Sequence, residues 1–438
     1  MDQAAGYRQF VVTPTPAYLQ DQLVVATPHV SRVLSVLDTL GMGVTVDQDD
    51  EGAVESDARL GLSLLALTPV GDGPAAGFDV GQLISRIKET FENANQGWAP
   101  TIGKNRYVDD QVIGGGSMSY GGYGDPEPLG SAADRGRERA NYLAARPAGG
   151  TDVVVGMVDT QISGRSDVLA GTWTGRSADV VPDEGAPPQD GLTAQRWAAV
   201  RGHATFVAGL ILSVAPSARV IVRGELAPVG RTDSWTVAKA IAELGQSGID
   251  VLNLSFTCLT ADGKPPLALA TAIAKVNPRT VIVAAAGNHG TLDRLDLPVV
   301  IDGQEFGDPD TGARDIRTCA AFPAALDGVV AVGACTPAGD GPTAYTPRAA
   351  WVDLLARGDA ASTFFQEAPY EGFARWAGTS FAAALVSGAV AAATRPGVKP
   401  AQVAFEELPR EPSPQVTGEP PVPPTVMPTR AWVAADPG

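Results

Sequence analysis

The chain has 438 residues, 44% hydrophobic and 18% charged, which is longer than one ordinary domain and too apolar for wholesale disorder. Its formal charge of −17, from 49 acidic and 32 basic residues, repels phosphate backbones and anionic headgroups, so nucleic acid is not an expected partner. No run of about eighteen apolar residues occurs, and the start lacks a basic stretch followed by an apolar one, so no membrane association and a cytoplasmic location are expected.

In chain order, "DQLVVATPHVSRVLSVLDTLGMGVTV" reads as a strand, a proline and a helix with Val30, Val33, Leu34 and Leu37 on one stripe. The pattern repeats: "RLGLSLLALTPV" is strand-like, and Val80, Leu83, Ile84, Ile87 and Phe91 recur at helical spacing. With strand candidates at 43–47 and near 107–113, residues 1–112 are expected to form a small α+β domain of βαββαβ, ferredoxin-like type. Residues 1–110 hold 15 acidic and 7 basic side chains, so much of the negative charge lies there.

Residues 113–148 begin with "IGGGSMSYGGYG", a flexible connection, and end in "DRGRERANYLAARP", which fits a few helical turns. A second domain is expected over 149–397. "TDVVVGMVDT", "ARVIVRGEL", "GIDVLNLSF", "RTVIVAAAGN" and "DGVVAVGAC" are continuous apolar strands, with helix-compatible segments between several of them. Strands apolar on both faces imply an α/β fold, a mostly parallel sheet flanked by helices, with its ligand site beyond the carboxyl ends of the strands. Ten prolines between Pro400 and the end mark residues 398–438 as an extended or disordered tail. Cys258, Cys319 and Cys335 are too few and odd in number for a disulfide framework, and read as small buried hydrophobes.

Four residues fall where chemistry is expected. Asp159 ends the first strand of the second domain, and His203 leads "HATFVAGLI", where its ring is expected on the first turn of a helix. His29 lies in the other domain and His289 follows "AAAGN" in a loop, so His203 is the best placed of three histidines. Ser380 stands at the turn into "SFAAALVSGAVAAAT", where free helix N–H groups favour negative charge. Asn288 ends a buried strand, and its amide and the Ser380 N–H are candidate donors to an oxyanion. Together they supply a nucleophile, a base, a carboxylate to orient it and an oxyanion donor. Singly, each has a structural explanation: Thr379 or Ser380 as a helix cap, Asp159 as a turn, His203 as a core imidazole, Asn288 as a turn residue.

The segments "VVVGMVDT", "GHATFVAG", "VAAAGN" and "GTSFAAALVSG", in that order, resemble the aspartate, histidine, oxyanion and serine motifs of the subtilisin-like serine proteases, the subtilase family. "AAFPAALDGVVAVGA" is also similar to the family's segment between asparagine and serine. The resemblance implies a serine endopeptidase acting on protein or peptide substrates without a cofactor, with Asp159, His203 and Ser380 as triad and Asn288 in the oxyanion hole. It implies further that substrate pairs as an extra strand against "LNLSF" and "AAAG", with Ser255, Phe256, Ala285 and Gly287 as substrate-binding residues. Gln161 stands where the family has glycine, Phe206 replaces a second histidine, Ala384 replaces a helix proline, and "SFTC" lacks a glycine. The altered residues after Asp159 and His203 keep a second reading open, a catalytically silent binding module on the same fold. A lipase or esterase is disfavoured, because no serine lies in Gly-x-Ser-x-Gly and the residue order is wrong.

Many subtilases carry a βαββαβ prodomain, so regulation by the first domain is an added expectation, as is a partner protein held by that domain or by the proline-rich tail. Many also bind calcium. The loop carrying Asp302, Glu305, Asp308, Asp310 and Asp315 lacks the EF-hand glycine pattern and reads as a solvated acidic loop, with no metal expected.

Overall fold

Strands that are apolar on both faces must be covered on both, and two sheets in this chain meet that need with helices. A computed structural model describes residues 17–40, 44–49, 52–69, 79–109, 125–144, 150–166, 168–169, 171–181, 194–226, 231–290, 299–301, 304–307, 314–413 and 422–426. The glycine-rich stretch 113–124 lies outside them, as do Asp302, Asp308 and Asp310 of the acidic loop.

The first unit comprises β1 (Tyr18–Ala26), α1 (Val30–Leu40), β2 (Val44–Val46), β3 (Glu55–Asp57), β4 (Leu62–Pro69), α2 (Val80–Ala94) and β5 (Ile102–Asp109). Its sheet runs β5-β1-β4-β2 with antiparallel neighbours, the βαββαβ arrangement expected, and β3 is an extra strand on β4. The last strand spans 102–109, earlier than the 107–113 expected. The Asp79 side chain accepts the Gln82 N–H and so starts α2, which buries Val80, Leu83, Ile84, Ile87 and Phe91. Alternation along β1 sends Leu23 and Val25 into a core with α1 and α2, and Val24 to the opposite face.

The second unit continues with β6 (Glu127–Pro128), α3 (Ala132–Ala144), β7 (Val154–Asp159), β8 (Ile162–Ser163), β9 (Trp173–Thr174), β10 (Val180–Val181), α4 (Ala194–Val214), β11 (Arg219–Gly224), β12 (Arg231–Asp233) and α5 (Ser234–Gly245). Next come β13 (Val251–Leu254), β14 (Cys258–Leu259), α6 (Leu267–Lys275), β15 (Val281–Ala285), the short strands β16 (Val299–Ile301), β17 (Gln304–Gly307) and β18 (Arg314–Asp315), then β19 (Ala321–Phe322) and β20 (Val329–Cys335). The unit ends with β21 (Leu354–Arg357), β22 (Asp359–Thr363), β23 (Phe373–Ala377), α7 (Thr379–Ala393), α8 (Ala401–Glu406), β24 (Arg410–Glu411) and β25 (Thr425–Val426).

Its central sheet has the order β24-β25-β21-β20-β15-β13-β7-β11-β9, parallel throughout except β24. Val155 and Met157 of β7 point to one face, into a core with α4 and α7, while Val158 points to the other, into a core with α5 and α6. The segment read as a disordered tail departs from expectation: α8, β24 and β25 pack onto this sheet, while residues 414–421 and 427–438 lie outside the described residues. Pro400 stands at the start of α8, where a missing N–H costs nothing, and Pro424 still offers its carbonyl to the Leu355 N–H at 2.9 Å.

The free face of the first sheet is covered by the second unit. Val24, Leu62, Leu64 and Val108 share a core with Trp235, Ile241, Ala268 and Leu269 of α5 and α6. Each such buried valine, leucine or isoleucine contributes about 1.5–3 kcal/mol. β12 extends the first sheet by pairing antiparallel with β5, Arg231↔Asp109 to Asp233↔Tyr107. Asn105, fully buried, donates to Gln22 Oε1 (2.7 Å) and Asp233 Oδ1 (2.9 Å) and accepts from Ser234 Oγ (2.9 Å) and the Trp235 N–H (3.0 Å), so the first unit caps α5.

Candidate active site

Asp159 is the last residue of β7 and His203 projects from α4, so the carboxyl end of the sheet and a covering helix bring them together. His203 Nδ1 lies 2.5 Å from Asp159 Oδ1, which also accepts the Thr160 N–H at 2.7 Å. Both side chains are 1% exposed, and burial makes such a charge-assisted bond strong. A carboxylate only accepts, so the proton of the neutral ring sits on Nδ1 and Nε2 keeps its lone pair. Neither Nε2 nor Asp159 Oδ2 has a hydrogen-bond partner among the described residues.

His203 is not on a first turn, as the sequence suggested, but the tenth residue of α4, which begins at Ala194. The residue before it is a glycine inside the helix for a packing reason: a Cβ on Gly202 would lie 1.9 Å from Phe364 Cε2, so only glycine lets that ring lie against α4. Ser362 and Thr363 of β22 donate to the carbonyls of Phe206 and Thr205 at 2.7 and 2.8 Å, fastening the β22–β23 hairpin to the same helix. Phe206 packs with Phe364, Trp376 and Phe381. Trp376 meets the His203 ring edge-on at 5.8 Å and Phe381 at 5.7 Å, so this aromatic wall shields the imidazole from water.

Ser380 is the second residue of α7, as expected, and its neighbour Phe381 is one of the two rings packed against His203. Its hydroxyl donates to the Ser255 carbonyl at 3.3 Å, while Ser255 Oγ donates to the Ser380 carbonyl at 3.2 Å. The Ser380–His203 hydrogen bond is therefore not formed in this state. Apo geometry of this kind is common where a bond tightens only with substrate.

Asn288 Oδ1 accepts both the Thr379 N–H (3.0 Å) and Thr379 Oγ1 (3.1 Å), and the Gly287 N–H donates to Thr379 Oγ1 (3.0 Å). A backbone N–H can only donate, so Asn288 must turn its oxygen to Thr379 and its NH2 away from it. Thr379, considered in the sequence only as a cap, thus sets the amide's orientation; its place beside a candidate serine was the available signal. Of the expected substrate-binding residues, Ser255 and Phe256 follow β13, Ala285 ends β15, and Gly287 has a φ of 94°, which a side chain would strain. Gln161 donates to the Ala178 carbonyl at 2.9 Å, holding the loop after β7 in a form of its own.

His289, the residue after Asn288, is 1% exposed and donates Nε2–H to the Cys319 carbonyl at 3.2 Å. Burial pushes its pKa down to about 4, against the pull of that carbonyl and of Asp315. The unfolded chain takes up a proton below about pH 6.5 that the folded chain refuses until about pH 4. Stability contributed by the neutral ring is therefore present above pH 6.5 and lost as pH falls through this window, by about 3 kcal/mol in full. Denaturant unfolding at pH 7 and pH 4.5 should show a smaller loss for His289→Gln than for the natural protein. Equal losses would remove His289 as the cause.

Among the described residues no group of three or more His, Cys, Asp or Glu side chains is placed to hold a metal ion. Asp315 is engaged by Arg317.

A family model described as the subtilase family matches residues 150–404, more than half of the chain. This chain belongs to the subtilase family. The subtilase is 33% identical over 223 residues to Mycosin-4 of Mycobacterium tuberculosis (strain ATCC 25618 / H37Rv), covering 43% of this chain and 47% of that protein, so it spans about half the length of this relative. It is 29% identical over 269 residues to Subtilisin BL of Lederbergia lenta, covering 58% of this chain and 82% of that one. Similar solved structures include a lanthipeptide protease (TM-score 0.47, 21% identity, 62% of this chain and 86% of that one). A cold-adapted subtilisin-like serine proteinase is also similar (TM-score 0.46, 18% identity, 64% and 89%).

Proposed function

We propose that this subtilase is a serine endopeptidase using Asp159, His203 and Ser380 as its triad. The observation that carries the reading is the buried 2.5 Å pairing of Asp159 Oδ1 with His203 Nδ1, which leaves Nε2, without a partner among the described residues, to act as the base. Ser380 Oγ attacks the scissile carbonyl and passes its proton to His203 Nε2, and Asp159 stabilises the imidazolium. The carbonyl oxygen, now an oxyanion, is held by Asn288 Nδ2 and the Ser380 N–H, one of the donors a helix start leaves free. His203 then protonates the leaving amine, and water, activated by the same imidazole, hydrolyses the acyl ester and restores Ser380.

We further propose that the first domain regulates this activity. The support is its position: its sheet is extended by β12 and its Asn105 caps α5. Residues 125–128, which follow the first domain in sequence, are held to the hairpin that leads into Ser380, β6 pairing with β23 and Tyr370 donating to the Pro126 carbonyl at 3.0 Å. One observation favours a catalytically silent module instead, the Ser380 hydroxyl bonded to Ser255 rather than to His203. Mass spectrometry of the full chain incubated with casein separates the readings. New casein peptides, absent with Ser380→Ala, support the peptidase; intact casein with intact protease supports the silent module.

A further inference from the structure

The last residues in register between β13 and β15 are Leu254 and Ala284. Beyond them the chain continues into Ser255–Thr257 and Ala285–Gly287, which the subtilase resemblance makes the two walls of the substrate crevice. Ser255 exchanges hydrogen bonds with Ser380, and the opposite wall ends at Asn288, so the crevice opens at the proposed nucleophile and oxyanion donor. Its far end is closed. β14 continues from Thr257 and pairs with β19, Cys258↔Phe322 and Leu259↔Ala321, while His289 ties the other wall to the Cys319 carbonyl just before β19. In the binding mode the subtilase resemblance implies, a carbonyl carbon held between Ser380 Oγ and Asn288 directs the side chain of its own residue, the one before the scissile bond, between these two segments.

Thr257 stands across the slot between the two segments. A Cβ placed on Gly287 would lie 3.2 Å from Thr257 Cγ2, so the threonine methyl already reaches the opposite wall. A side chain inserted between two walls needs about 3.5–4.0 Å to each, roughly 7–8 Å in all, which this pair does not leave. Branching at Cβ restricts χ1, so the methyl has little freedom to swing clear. We infer that Thr257 fills the slot and restricts the residue before the scissile bond to glycine, alanine or serine, excluding aromatic and long aliphatic side chains. This rests on the peptidase reading and supplies its substrate class.

The test uses the full chain and two fluorogenic peptides that differ only in alanine or phenylalanine before the cleaved bond, with fluorophosphonate labelling of Ser380 read alongside. The natural protein should prefer alanine by about 10²-fold or more in kcat/KM, within the range pocket shape alone supplies. Thr257→Gly, and Thr257→Ser, which removes only the methyl, should each reduce that preference at least tenfold by raising kcat/KM for phenylalanine. A labelled protein that cleaves both peptides equally, or neither, overturns the role of Thr257 and leaves the peptidase reading to its own test. So does a preference unchanged in both variants. A natural protein whose Ser380 does not label, and which cleaves nothing, overturns the peptidase reading and this inference with it.

Discussion

Ser380→Ala is expected to lower peptide hydrolysis by about 10⁴–10⁶-fold in kcat with little change in KM, and His203→Ala by a similar factor. The reason lies in how the two side chains divide one step. The serine oxygen forms the new bond only as its proton leaves, and His203 Nε2 is the ring nitrogen without a partner among the described residues because Nδ1 is held by Asp159. Removing either group stops the same event, so the double variant should be no slower than either single one. Kinetics on one peptide substrate for the three variants checks this. Losses that multiply would mean that the two residues act separately.

Asn288→Ala is expected to cost about 10²–10³-fold in kcat, again with KM nearly unchanged, because the oxyanion exists only after attack. The structure sharpens the expectation. The amide is held by two bonds from Thr379, so its NH2 is fixed before substrate arrives and loses little freedom in use. Thr379→Val should reproduce part of the same loss, since it removes the hydroxyl that links Asn288 to the Gly287 N–H. Full activity in Asn288→Ala would take the residue out of the mechanism.

The central sheet was legible because its strands are apolar without alternation, as strands of a sheet covered on both faces are. The same signal in "LVVA" and "LSLLAL" of the first domain was available: a small sheet standing alone would alternate, and here its second face meets α5 and α6. The midhelical position of His203 was not legible. Gly202 locally favours a break, and the reason a glycine stands inside the helix is a phenylalanine more than 160 residues away in sequence, whose ring occupies the space a side chain would need.

The folding of residues 401–413 and 422–426 escaped notice for a related reason. Proline content argues against packed elements on average, but Pro400 and Pro424 occupy positions that ask nothing of an N–H. Of the candidate site, the identities of Asp159, His203, Asn288 and Ser380 came from motifs and their order. The hydrogen-bonded state of each did not, because the partner of a hydroxyl or an amide is set by residues distant in the chain, as Ser255 is for Ser380 and Thr379 for Asn288.

The claim beneath the whole account is that one serine, one imidazole and one amide converge on a single attacked carbonyl. The most direct test is a crystal structure of the protein after reaction with diisopropyl fluorophosphate, whose phosphorus mimics the tetrahedral centre. Phosphorus bonded to Ser380 Oγ, with a phosphoryl oxygen about 2.7–3.1 Å from both Asn288 Nδ2 and the Ser380 N–H and His203 beside the adduct, is the predicted result. An unmodified Ser380, or an adduct whose oxygen points away from Asn288, would contradict it.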